Sequence, residues 1–351
     1  MSDRFMIYGA TGYTGKLVAR TAKALGMKPL LAGRNEARLK SIAAQHGFEY
    51  QAISLDEPEA LDAGLSQVDV VLHIAGPFSQ TSRPMVDACM RAGVHYLDIT
   101  GEIDVFEACA ARDAEAKDAK VMLMPGVGFD VVPSDCLAAH MKRRLPDATE
   151  LTLGISGLGQ MSHGTAKTGV ESIGKGTRVR RESHIIALRK PPRREIDFGN
   201  GTKTAVAIGW GDVATAWHST HIPDITVYFE SSPQLEQMAG MGGLMRWIMS
   251  LGPAQRALKK RIEKLPEGPT DAQRQEGYSV LHGEAVNAAG EKVVSRLRTP
   301  EGYSLTAMTG LEIVRRVLAG EAVPGYQTPS MVFGPDFITE FEGCDRTDIN
   351  S

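Results

Sequence analysis

Four apolar residues, Phe5-Met6-Ile7-Tyr8, run without a break into Gly9-Ala10-Thr11-Gly12-Tyr13-Thr14-Gly15, and that run opens a stretch rich in Ala, Leu and Lys over residues 16–25. An apolar strand, a glycine-rich turn and a helix in immediate succession leave few folds open. Three glycines at this spacing are weak evidence by themselves, and the strand-to-helix setting supplies the specificity. In that setting the first N–H groups of the helix, expected near Thr14, face outward and can receive a phosphate. Gly9 permits the tight turn, Gly12 lets a ligand approach the backbone, and Gly15 lets the helix pack on the sheet. Thr11 and Thr14 add hydroxyl donors.

The same alternation continues to about residue 125. Further short apolar runs at 29–32, 50–54, 68–74, 95–99 and 121–124 are separated by helical patterns at 36–46, 83–92 and 105–119. Strands alternating with helices predict parallel βαβ units. From Thr149 the texture changes to alternating stretches at 150–156, 193–198, 226–229, 278–288 and 292–298, punctuated by Gly and Pro. These predict a second sheet, mixed or antiparallel, with helices of its own. A last helical pattern at 305–318 stops at Gly320 and is placed to return to the first domain. The expected class is α/β: a Rossmann-type parallel sheet over residues 1–127, completed by 304–325, and a second α+β domain over 128–303 that holds the substrate.

The end of the second strand selects the ligand. Dinucleotide enzymes that use NAD place an acid there for the ribose 2′-hydroxyl. Here the sequence is Leu31-Ala32-Gly33-Arg34-Asn35, and an arginine instead pairs with a 2′-phosphate. NADP(H) is the expected cofactor. Asp56, closing the third strand, either meets the adenine amino group or starts a helix. Ala75-Gly76-Pro77-Phe78 ends the fourth strand with a small residue and a constrained turn, leaving room for ribose and nicotinamide.

These blocks resemble the saccharopine dehydrogenase-like reductases, a family that includes trans-acting enoyl reductases. The resemblance lies in Gly9 to Gly15, in Ala32-Gly33-Arg34 and in Gly76-Pro77-Phe78. It continues through Tyr96-Leu97-Asp98-Ile99-Thr100-Gly101-Glu102, Pro125-Gly-Val-Gly-Phe-Asp130-Val-Val-Pro-Ser-Asp135 and Ser162-His-Gly-Thr165-Ala-Lys167. It is strong over the first half of the chain and present only in outline over the second. It implies NADP-dependent reduction of C=N, C=O or C=C, with the substrate left open by the fold.

Hydride transfer needs a partner for the proton. Asp98 and Glu102 at the end of the fifth strand and Asp130 in the Gly/Pro-rich crossover are the candidates, each with a structural alternative as a cap or turn residue. His163 and Lys167, four apart on one helix face, are further donors, with Ser162 as the N-cap. His218 and His221 lack a third ligand at a useful spacing, so no metal site is expected.

Composition excludes other classes. The 351 residues, 42% hydrophobic, suffice for two cores, and 39 basic against 42 acidic residues give a net charge of −3. No basic field points to nucleic acid. Four scattered cysteines and an N-terminus without a basic leader predict a cytoplasmic protein. The exception is residues 235–261, where Leu235, Met238, Met241, Leu244, Met245, Trp247, Ile248 and Met249 precede Arg256, Lys259, Lys260 and Arg261. This segment is either a core helix followed by a solvated one, or an adaptable apolar surface for a weak membrane or carrier contact. The expected partners are otherwise a small, hydrophobic or acyl substrate and, from base rates alone, a second copy in a homodimer.

Three functions compete. The first is an NADP(H)-dependent oxidoreductase acting on an activated C=C or C=O of an oily substrate. The second is a saccharopine-type imine reductase, for which Arg178, Arg180 and Arg181 are the test positions. The third is a non-catalytic NADP(H)-binding sensor or scaffold.

Overall fold

The computed structural model describes residues 4–349, with the side chains of Leu244 and Arg246 outside the description. Residues Met1–Asp3, part of the N-terminus on which the leader expectation rests, lie outside the described residues. The chain forms β1 (Phe5–Tyr8), α1 (Tyr13–Ala24), β2 (Leu30–Gly33), α2 (Glu36–His46), β3 (Glu49–Ala52), α3 (Pro58–Leu65), β4 (Val70–His73) and α4 (Phe78–Ala92). β5 (His95–Asp98), α5 (Ile103–Ala110), α6 (Asp113–Asp118) and β6 (Met122–Met124) follow. Next come α7 (Val132–Arg144), β7 (Ala148–Ser156), α8 (His163–Ser172), β8 (Thr177–Arg181), β9 (His184–Leu188), β10 (Arg193–Asp197), β11 (Thr202–Ala207), α9 (Asp212–Thr220) and β12 (Asp224–Glu230). The chain continues with α10 (Pro233–Ala239), α11 (Gly243–Ser250), α12 (Gly252–Ile262), α13 (Asp271–Glu276), β13 (Tyr278–Asn287) and β14 (Lys292–Pro300). It closes with α14 (Gly302–Arg316), β15 (Gly325–Tyr326), α15 (Pro329–Phe333) and β16 (Asp345–Ile349).

Two compact units result, one of Met1–Val132 with Tyr303–Val332 and the other of Pro133–Gly302 with Phe333–Ser351. In the first, seven parallel strands run in the order β15-β6-β5-β4-β1-β2-β3. The order reverses at β1, which lies between β2 and β4. In open parallel sheets ligands bind at the carboxyl ends beside such a reversal. β1 and β4 are buried on both faces, as a parallel sheet covered by helices requires. The seventh strand has only two residues, too few for any periodic signal. It is fixed by Asp113, whose Oδ1 accepts from Tyr326 N at 2.9 Å.

Several local expectations are corrected. The single helix expected at 105–119 is two, α5 and α6, with Arg112 between them bonded to Asp87 and Glu115. α3 was not foreseen, and its N-cap is Glu57, so Asp56 does not start it. α4 begins five residues earlier than expected, for a reason that lies in the site.

In the second unit the sheet is mixed: β10-β11-β12-β7-β13-β14-β16, with β8 on β12 and β9 on β8. β12 pairs with β7 in parallel, and the other pairings are antiparallel. α7 packs Leu137 and Met141 against Gly283 of β13, where a side chain would collide with both. No helix among the described residues is long and apolar enough to cross a membrane.

The segment around residue 240 is not a core helix. It breaks into α10, α11 and α12; α10 and α12 bury no residue, and Met245 and Trp247 of α11 are 51% and 60% exposed.

Candidate functional site

The turn after β1 is threaded between the ends of β2 and β4. Gly9 N donates to Ala32 O at 2.8 Å, and Ile74 N donates to Tyr8 O at 2.7 Å. Gly9 has φ +94°, and a Cβ there would lie 2.8 Å from Ala75 N. Only glycine meets both demands. At Gly15 a Cβ would press on the carbonyl of Gly9 and lie 2.7 Å from Ala10 Cα, so α1 can approach the turn only without a side chain. Gly12 differs. It is the N-cap of α1 with an ordinary φ of −77°, and a Cβ would meet only Gly9 O, at 3.6 Å. Nothing within the chain requires glycine there. α1 has no side-chain cap and no acid in its first turn, so its own side chains do not neutralise the positive helix end. Thr11 and Thr14 are partly exposed beside it, and Tyr13 packs edge-on against Tyr303 at 5.1 Å.

Arg34 is exposed and forms no ion pair among the described residues. Asn35 behind it caps α2 by accepting from Arg38 N at 3.0 Å. Exposed Arg38, one turn along α2, is a second cation that the sequence reasoning passed over; its spacing of four from Arg34 was the available signal. Asp56 is exposed and bonded to Ser54. Tyr8, whose hydroxyl donates to Ile53 O at 3.0 Å, feels both charges. Burial pushes it up to about 12, with Arg34 lowering and Asp56 raising it.

On the other side of β1, the Gly76–Pro77 peptide is cis. This turn is braced from two directions. Glu102 accepts from Phe78 N at 2.8 Å and Ser79 N at 3.0 Å, capping α4 from a distant part of the chain, which explains the early start of that helix. Thr81 donates to Ala75 O at 2.6 Å, which leaves Nε2 of fully buried His73 to donate to Thr81 at 3.1 Å. Burial lowers His73 to about 3, and its Nδ1 has no partner among the described residues. The sequence offered no signal for His73 beyond its place at the end of β4.

Asp98 is fully enclosed. Its Oδ2 accepts from the Tyr96 hydroxyl at 2.6 Å, and its Oδ1 accepts from Thr100 N and Gly126 N, both at 2.9 Å. Burial raises it to about 6 against the lowering by those three donors. Through Gly126, and through its own carbonyl to Val127 N at 2.7 Å, Asp98 ties down the loop that carries Asp130. α14 holds the same loop: Phe129 N donates to Thr306 Oγ1 at 3.0 Å and Thr309 Oγ1 donates to Val127 O at 2.8 Å. Asp130 lies over Gly101, where a Cβ would stand 3.0 Å from its Oδ2. It retains partial exposure, yet burial of its carboxyl raises it to about 7. The three acids therefore gather beside the end of β5, with the Asp98 and Glu102 carboxylates accepting from backbone N–H groups and the Asp130 carboxyl buried over Gly101.

The remaining candidates lie in the second unit and are engaged structurally. Ser162 caps α8 by accepting from Thr165 N, His163 Nε2 meets Leu265 O at 2.7 Å, and Lys167 pairs with Glu263 at 2.8 Å. His218 and His221 pack on Trp217, and no group of three metal-ligating residues occurs among the described residues.

Residues 5–124 match the family described as the saccharopine dehydrogenase NADP binding domain. The trans-acting enoyl reductase of Mycobacterium leprae is 35% identical over 157 residues, covering 40% of this chain and 35% of that protein. The one from Mycobacterium tuberculosis is 33% identical over 153 residues with the same coverage. The match thus spans about a third of the length of these curated relatives. Apo saccharopine dehydrogenase (L-Glu forming) from Saccharomyces cerevisiae superposes with a TM-score of 0.65 at 13% identity, covering 99% of this chain and all of that one, which establishes a shared fold. Residues 5–124 thus match a saccharopine dehydrogenase NADP-binding domain, and NADP(H) is the cofactor this match supports.

Proposed function

We propose that the chain is an NADP(H)-dependent oxidoreductase that transfers a hydride to or from an activated C=C or C=O bond of a hydrophobic or acyl substrate. The observation that carries this reading is Gly12, a glycine that no neighbour among the described residues requires, at the uncapped start of α1, together with Arg34, exposed and in no ion pair among the described residues. When bound, the nicotinamide supplies the hydride. The rest falls to the chain. The first turn of α1 receives the pyrophosphate, with Thr11 and Thr14 as hydroxyl donors. Arg34 pairs with the 2′-phosphate and Asp56 borders the adenine. The braced Ala75-Gly76-Pro77 turn lines the nicotinamide ribose.

Asp130 handles the proton. A carboxyl raised to about 7 is divided between its two forms near neutrality, the condition a general acid or base needs. Asp98 and Glu102 act by positioning, one holding the Asp130 loop and the other the Gly76-Pro77 turn. Support for an acyl substrate comes from the curated relatives, which are named enoyl reductases, and from the exposed methionine-rich segment. The imine-reductase reading needs cations for a substrate's carboxylates. Against it, Arg180 donates to Val213 O and Ser183 O, and Arg181 to Arg180 O and Thr226 Oγ1. A cytoplasmic setting suits the four cysteines, none of which is in a disulfide.

The test is binding of NADPH and NADH to the wild type and Arg34→Ala, followed by NADPH oxidation over a panel of 2-enoyl and carbonyl compounds. Arg34→Ala should lose about tenfold or more in NADPH affinity, about 1.4 kcal/mol, with NADH binding unchanged. An intact NADPH preference refutes the role of Arg34. Tight NADPH binding without turnover on any compound would favour the sensor.

A further inference from the structure

Half of the exposed large apolar side chains described in the second unit fall in one short stretch. Met238, Met245, Trp247, Ile248 and Leu251 are all exposed within fourteen residues of α10 and α11. α11 is seated on the turn containing Gly174, where a Cβ would come 2.7 Å from that of Ser250, so its mounting uses the Ser250 end. α12 is held to α8 through Lys259 with Glu171 at 2.6 Å and Glu263 with Lys167 at 2.8 Å. Those pairs use its inward charges, while Arg256 and Lys260, four apart on one helical face, and Arg261 beside them stay exposed. Residues 243–264 contain six Lys or Arg and one Glu, a net +5 in a chain whose net charge is −3.

We propose that α11 and α12 dock the protein on an anionic lipid bilayer surface. An apolar protrusion with a tryptophan inserts at headgroup depth, and flanking cations are attracted to the surface charge. Each Lys or Arg near such a surface is worth about fivefold in binding. A fluid bilayer accepts projecting Trp and Met side chains without a matching pocket, which a protein partner would have to supply. A second copy docking through the same face about a two-fold axis would set two positive segments against each other. The proposal goes beyond the reductase reading and does not depend on it, because lipid binding is read without turnover.

The experiment uses the intact protein with phosphatidylcholine vesicles, with and without phosphatidylglycerol, read by co-sedimentation and tryptophan emission. The wild type should sediment with the anionic vesicles and far less with neutral ones, lose binding at high salt, and show a blue shift absent in Trp247→Phe. The double variant Met245→Ser/Trp247→Ser and the charge reversal Lys260→Glu/Arg261→Glu should each bind at least tenfold more weakly while retaining NADPH binding, which shows that they are folded. Wild-type protein that stays in the supernatant, or variants that bind as the wild type does, overturn the proposal. So does a Trp247-dependent dimer, or a saturable complex with an acidic acyl carrier protein, formed by protein that ignores vesicles.

Discussion

Gly12 and Gly15 stand three residues apart in one turn, and one experiment separates their roles. At Gly15 an added methyl group meets backbone, the carbonyl of Gly9 and Ala10 Cα at 2.7 Å, and neither can rotate away as a side chain would. Gly15→Ala must therefore push α1 off the sheet, at a cost of about 1–3 kcal/mol. For a unit of this size that lowers the melting temperature by roughly 3–10 °C. At Gly12 the added methyl has one neighbour at an ordinary 3.6 Å, on a backbone that alanine adopts freely. A small N-cap penalty and a small gain from a stiffer unfolded chain nearly offset, so Gly12→Ala should change stability by less than about 1 kcal/mol. If the first turn of α1 receives the pyrophosphate as proposed, the methyl group stands in its way and NADPH affinity should fall about tenfold or more. Thermal melts with and without NADPH read both effects at once, since a ligand that binds the folded state raises its melting temperature. Gly15→Ala melts early; Gly12→Ala melts normally but gains nothing from NADPH. A Gly12→Ala protein stabilised by NADPH as fully as the wild type would refute the assignment of Gly12 to the ligand.

Glu102→Ala leaves two N–H groups at the start of α4 without their carboxylate and should cost about 1–3 kcal/mol in urea unfolding; an unchanged midpoint would show that water caps the helix equally well. Asp130, raised to about 7, disfavours the folded state when ionised, so its contribution is full below its ordinary value near 4 and is lost as pH rises through 7. Asp130→Asn should flatten stability between about pH 4 and 7 and remove the limb of the rate profile near 7, with NADPH binding unaltered, as a pH series of melts and rates will record. His73 has the opposite sign: lowered to about 3 by burial, it stabilises above 6.5 and loses that contribution as pH falls toward 3. His73→Leu should flatten this acid limb, leaving the smaller contribution of His282, which burial lowers to about 4.

The first unit was legible because its signals are local. An apolar run of four followed by glycines fixes β1 and the turn, and Glu36–His46 is bounded by its own Asn35 cap and by Gly47 in the left-handed region. What escaped depends on distant partners. α4 starts at Phe78 only because Glu102, 24 residues away, caps it, and β15 exists because Asp113 holds a two-residue strand from over 200 residues away. Asp98 and Glu102 were visible as acids near the end of β5, but sequence cannot tell an acid whose oxygens already accept backbone N–H groups from one that faces a ligand. That the Asp98 and Glu102 carboxylates are taken up by backbone N–H groups is a property of the folded chain alone.

The methionine-rich segment was ambiguous for a different physical reason. A stripe of apolar residues on a helix records that one face avoids water, and it does so equally whether the covering surface is the protein's own sheet, a partner or a lipid. The discriminating feature was already present as length and punctuation. Pro233, the Gly240-Met-Gly-Gly243 run and Gly252-Pro253 cut the segment into helices of 7, 8 and 11 residues. Helices that short, separated by glycine and proline, bury too little surface to anchor themselves as core layers, and the structure seats them by a few contacts such as Ser250 against Gly174 and the pairs Lys259–Glu171 and Glu263–Lys167. An apolar stripe on a helix too short to carry a core contact therefore points outward, and its neighbouring charge then says what it faces: here, the excess of Arg and Lys on α12 points to an anionic surface.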